Sequence, residues 1–101
     1  MPWVRFARTT EVGEGQIKTF SVGRKKLALA KVGGKFFAVD DACTHLGCSL
    51  GEGAVRDGQV ECPCHGARFT LATGEVRALP ATAPLQTYPT RVEGETVAVK
   101  I

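Results

Sequence analysis

The chain has 101 residues, 44% of them hydrophobic and 23% charged, with a formal net charge of +3. That size is a single domain able to bury its own core, and that composition excludes a disordered chain. The charge is mild, the basic residues are scattered apart from Arg24-Lys25-Lys26, and no aromatics interleave with them, which excludes nucleic acid as the expected partner.

In chain order, residues 3–7 read as a first strand and 9–15 as a polar loop. Residues 16–22 alternate loosely, with Ile17, Phe20 and Val22 apolar, and 23–26 turn the chain. Residues 27–32 are a third run, Gly33-Gly34 is a tight hairpin signal, and 35–39 is the return strand. Asp40-Asp41 ends that strand and leads into a loop. Further on, 54–56 and 59–61 flank Asp57-Gly58, a hairpin turn that requires positive φ. Residues 67–71 read as a strand, 72–74 as its turn and 75–78 as a short return. Residues 79–84 are irregular, with Pro80 and Pro84. Residues 85–92 and 96–101 form a closing hairpin around Glu93-Gly94-Glu95. Short strands with turns every 8–12 residues or so predict an antiparallel all-β sandwich or barrel. One domain, residues 1–101, is expected, since no linker divides the chain.

No stretch approaches the roughly 18 apolar residues that span a membrane. Met1-Pro2-Trp3-Val4-Arg5 lacks the apolar core of a signal peptide. The expected location is the cytoplasm.

All four cysteines and both histidines lie in two short loops, Cys43-Thr44-His45-Leu46-Gly47-Cys48 and Cys62-Pro63-Cys64-His65-Gly66. The cysteines of a secreted disulfide framework usually spread along the chain, so this clustering points to a metal site instead. Each loop offers a thiolate beside an imidazole, Cys43 with His45 and Cys62 with His65. Thiolates suit iron–sulfur clusters and zinc, and imidazole suits iron and zinc equally. A Cys2His2 zinc site commonly pairs Cys with Cys and His with His, whereas each loop here mixes the two. A four-cysteine cluster on Cys43, Cys48, Cys62 and Cys64 would leave both histidines idle. A catalytic Cys/His pair would not account for the repetition.

Cys43-x-His45 followed by Cys62-x-x-His65 resembles the Rieske family, which binds a [2Fe–2S] cluster with two cysteines and two histidines. The resemblance implies a β-sandwich base carrying a smaller cluster-binding subdomain, approximately residues 41–79. It implies one [2Fe–2S] cluster per chain, with Cys43 and Cys62 on one iron and His45 and His65 on the other through Nδ1. Two ferric ions and two sulfides carry a formal +2. Two thiolates bring that to zero and four would bring it to −2, so mixed ligation makes an added electron easier to accept. Such centres span about −150 to +300 mV. The Nε2 edges of His45 and His65, with Leu46 beside them, would form the docking tip and electron exit.

The same resemblance pairs Cys48 with Cys64 in a disulfide between the loops; two buried thiols are the alternative. Gly47, Gly51, Gly53 and Gly66 would supply tight or positive-φ backbone whose amides point at the sulfides. High-potential respiratory relatives carry Ser after Cys-Pro-Cys-His-Gly and Tyr two residues later, each a hydrogen-bond donor. Here those positions are Ala67 and Phe69, which cannot donate. Low-potential oxygenase ferredoxins usually lack the extra cysteine pair that this chain keeps. Residues 79–84 resemble the proline-containing loop that covers the cluster, an ordinary surface connection being the alternative.

The function implied is that of a soluble Rieske-type ferredoxin, a carrier of single electrons and not itself an enzyme. Its partners would be a flavin reductase and a terminal oxygenase of a multicomponent aromatic-ring oxygenase system. A non-catalytic subunit of a larger redox enzyme, such as a nitrite reductase, is the alternative, and a zinc-stabilised interaction module a third reading. No membrane or nucleic-acid partner is expected, and a monomer with transient partners is.

Overall fold

A computed structural model describes residues 3–44, 47–64, 66–79 and 81–101. The strands are β1 (Trp3–Arg8), β2 (Ile17–Val22), β3 (Lys25–Val32), β4 (Lys35–Asp40), β5 (Ala54–Arg56), β6 (Gln59–Glu61), β7 (Arg68–Thr70), β8 (Val76–Ala78), β9 (Thr87–Tyr88), β10 (Thr90–Glu93) and β11 (Thr96–Lys100). A single turn of 3-10 helix, Leu50–Glu52, precedes β5. The strands form three antiparallel sheets in the orders β1-β11-β10, β2-β3-β4-β9 and β5-β6-β7-β8. The architecture is the all-β one that the turn spacing predicts.

Two-residue turns set the register of the second sheet. Val22 faces Lys25 across Gly23-Arg24, and Val32 faces Lys35 across Gly33-Gly34. Lys25 and Lys26 thus belong to β3, not to a four-residue turn. Glu14 holds the second turn from outside: its carboxylate accepts the Gly33 and Gly34 N–H groups at 2.6 and 2.9 Å. Those two donors, Gly34 first, hold its carboxyl below the ordinary value.

β3 explains the layering. Its four central residues, Leu27 to Ala30, are all buried, so the strand is covered on both faces. Leu27 and Leu29 point into a core shared with Val22, Phe36, Ala38, Val97 and Val99, between the first two sheets. Ala28 and Ala30 point the other way, into a core with Val39, Leu50, Val60, Phe69, Leu71 and Leu85. Large side chains fill the sandwich interior, and small ones let the third sheet approach the opposite face closely.

The third sheet falls between β4 and β9, which are themselves hydrogen-bonded neighbours. It is therefore an insertion into the second sheet. Its first hairpin turns at Asp57-Gly58, both at positive φ (52° and 73°), as that dipeptide predicts. The expected single strand over 85–92 is instead two. Pro89 lacks an N–H and interrupts the ladder, so Thr87 and Tyr88 pair with β4 while Thr90 pairs with Val99 of β11. The chain changes sheets at that proline. Among the described residues, no helix is long and apolar enough to cross a membrane.

Candidate metal centre

The two cysteine loops share one backbone design. The Cys43 N–H donates to the Cys48 carbonyl at 2.9 Å, and the Gly47 N–H donates to the Cys43 carbonyl at 2.8 Å. In the second loop the Cys62 N–H donates to the Ala67 carbonyl at 2.7 Å, and the Gly66 N–H to the Cys62 carbonyl at 3.2 Å. Gly47 and Gly66 sit at φ 74° and 78°, a region that costs an L residue about 1–2 kcal/mol. A third loop, Thr70 to Glu75, repeats both hydrogen bonds with Gly74 in the glycine position and carries no ligand. The same pair of hydrogen bonds thus closes three loops, and two of them carry the cysteines and histidines expected as ligands.

This superposes the loops on Cys-x-x-x-Gly, Cys43 with Cys62 and Gly47 with Gly66. Aligning them on their Cys/His pairs, as the sequence reading does, hides that correspondence, because the Cys-to-His spacings differ. In the glycine frame His45 is the second residue of its loop and His65 the third. His45, Leu46, His65 and Pro80 lie outside the described residues.

The four sulfurs divide into two kinds. Cys48, half-buried, and Cys64, exposed, form a disulfide with Cα atoms 6.4 Å apart. That is the pairing the resemblance implies, and it removes both from the pool of thiolate ligands. Cys43 and Cys62 stay outside the bridge, each only 3% exposed, and pack in one apolar cluster with Ala67, Phe69 and Ala81. Two buried thiols, presented by matched loops that are joined beside them, fit the cysteine half of a mixed Cys/His iron–sulfur centre. The described residues of both loops carry no charged side chain.

Asp41 anchors the base of the first loop, a role the sequence reading missed. It is 5% exposed, and its Oδ1 accepts hydrogen bonds from Thr19 Oγ1 (2.8 Å), Ser49 Oγ (3.1 Å) and the Gly51 N–H (2.9 Å). One carboxylate oxygen thus joins β2 to both ends of the loop. Gly51 permits it: a Cβ there would lie 1.9 Å from Thr19 Oγ1. Gly53 likewise abuts the Glu61 carbonyl, and neither glycine has positive φ. The available signal was the acid–serine pair bracketing the loop, with Ala42 and Ser49 bridged just above it.

Residues 79–84 do more than connect. Thr44 Oγ1 donates to the Ala83 carbonyl at 2.9 Å, and Ala81 is fully buried beside Cys43 and Cys62. The segment therefore covers one side of the first loop. Leu79 at its start is 76% exposed. Tyr88, just beyond, donates its hydroxyl to Asp40 Oδ1 at 2.6 Å and ties the segment's far end to the strand that feeds the first loop.

The comparisons agree with this geometry. The family description "Rieske [2Fe-2S] domain" matches residues 2–89. The ferredoxin component of biphenyl 2,3-dioxygenase from Rhodococcus jostii is 36% identical over all of this chain and 94% of its own length. A Sphingomonas yanoikuyae B1 ferredoxin superposes with a TM-score of 0.93 at 31% identity, covering 99% of both chains. A chain from a complex of reduced oxygenase and oxidised ferredoxin in carbazole 1,9a-dioxygenase matches with a TM-score of 0.88 at 35% identity, over 96% of this chain and 91% of that one. Two matched cysteine loops, the bridge between them and a full-length family match lead to one conclusion: this chain belongs to the Rieske [2Fe–2S] domain family.

Proposed function

We propose that this chain is the ferredoxin component of a dioxygenase system, passing single electrons from a reductase to a terminal oxygenase. The observation that carries the proposal is a full-length match to free-standing carriers around a centre built from Cys43 and Cys62. A subunit locked into a larger redox enzyme, the alternative reading, gains no support from matches of that extent. The site would hold one [2Fe–2S] cluster per chain on Cys43, His45, Cys62 and His65. When bound, the cluster supplies a one-electron couple.

The chain's own residues fix the rest. Cys43 and Cys62 hold their sulfurs away from water in an apolar cluster, so their charge acts through a low dielectric. Asp41 and the Cys48–Cys64 bridge keep the two loops in place, which limits reorganisation when the charge changes. The Thr44–Ala83 hydrogen bond ties the following segment to the first loop, and Ala81 is buried in the same apolar cluster as both cysteines. His45 and His65, with Leu46, would form the tip that meets the oxygenase. Transient redox contacts are small, below about 1,200 Å². The setting proposed is the cytoplasm, with the chain a monomer between encounters.

A reductive titration followed by electron paramagnetic resonance tests the proposal. The expected result is one electron per chain, and re-oxidation by a terminal oxygenase of a dioxygenase system. A protein that takes up no electron, or that turns over an aromatic substrate alone, would overturn it.

A further inference from the structure

The sulfur of Cys62 has a neighbourhood that electron transfer does not use. Cys48, Cys62 and Cys64 present their Sγ atoms within 4.8 Å of one another, Cys62 buried, Cys48 half-buried and Cys64 exposed. While the bridge is closed, only one of the three can be a thiolate. A tetrahedral zinc site needs Zn–S distances of about 2.3 Å, hence sulfurs about 3.8 Å apart. Opening the bridge lets its two sulfurs separate to that distance, and Cys62 has at most about 1 Å to travel. Each loop keeps its own two backbone hydrogen bonds when the bridge opens, and the first is held in addition by Asp41. The exposed Cys64 gives an ion its path from solvent.

We propose that reduction of the Cys48–Cys64 bridge turns Cys48, Cys62 and Cys64 into a three-thiolate site for a thiophilic divalent cation such as zinc, cobalt(II) or cadmium. The disulfide then has a second role: it keeps soft metal ions off Cys62. In so far as Cys62 is a cluster ligand, a point that rests on the proposed function, the ion and the cluster exclude each other. A dithiol or phosphine reductant supplies two electrons; the S–S bond breaks and two thiols form. Binding the ion releases three protons as the three thiols become thiolates, and water fills the fourth position.

The test uses the full-length chain prepared without iron. It is titrated with cobalt(II) before and after treatment with a water-soluble phosphine, which is oxidised to its phosphine oxide. The thiolate-to-cobalt charge-transfer band is followed, with circular dichroism reporting the fold. The reduced protein should bind one cobalt(II) at least tenfold more tightly than the oxidised protein. Cys62→Ser retains the bridge until the assay, and Cys48→Ser never forms it. Each removes a direct ligand, so each should weaken binding by more than the about 10–100-fold that loss of an outer-shell partner costs. The His45→Ala/His65→Ala double variant should keep the band. Equal affinity in both redox states, or a band lost with the histidines but kept in Cys48→Ser, would overturn the proposal. Iron uptake by the oxidised wild type is scored separately, so failure of the ferredoxin reading and failure of this site are distinguishable.

Discussion

Tyr88 is the only tyrosine in the chain, so its titration can be read directly. Burial, then the hydrogen bond and charge of Asp40, push its hydroxyl from 10.0 up to about 12. A raised value means that folding favours the neutral phenol. Its contribution to stability is complete below about 10 and is lost as pH rises towards about 12. Tyrosinate absorbance should therefore appear near 12 in the folded protein, and Asp40→Asn should move it down. Ala67 and Phe69, 1% and 0% exposed beside the buried cysteines, carry the other expectation at this scale. A hydroxyl donated to a cluster sulfur gains about 1 kcal/mol on reduction, or about 40 mV for one electron. Ala67→Ser and Phe69→Tyr should each raise the potential by roughly that amount in protein-film voltammetry.

Among the elements, the hairpins were legible because their turns are chemical statements. Gly33-Gly34 and Asp57-Gly58 can hardly be anything else. β3 was legible as a strand but not as a strand covered on both faces, since Lys-Lys-Leu-Ala-Leu-Ala reads equally well as alternation with a small outer residue. The division at Pro89 was obscured because both halves are extended, and only their partners differ. Asp41 was read as the polar end of a strand, because its three donors come from residues 8 to 22 positions away in the chain. Ala28 gives the two-faced reading a test. Ala28→Leu should overpack the contact with the third sheet and cost about 1–3 kcal/mol in urea unfolding. On an outer face the same change would be nearly neutral.

Over the whole molecule, the sandwich core and the site core share the second sheet, so the centre rests on a platform already covered on its far side. Sequence pointed to this site because cysteine and histidine are rare and their chemistry is narrow; of the four expected ligands the structure describes Cys43 and Cys62, both buried. Sequence offered the covering segment only through the family resemblance, and it did not show the common loop geometry, which rests on backbone hydrogen bonds, or the Asp41 anchor, whose donors are distant in the chain. The central claim is that buried Cys43 and Cys62, with His45 and His65, hold an iron–sulfur cluster. Iron, zinc and acid-labile sulfide should be measured together on the purified wild type and on His45→Ala. The account expects two irons and two sulfides per wild-type chain and failed assembly in the variant; stoichiometric zinc without iron in well-folded wild-type protein would contradict it.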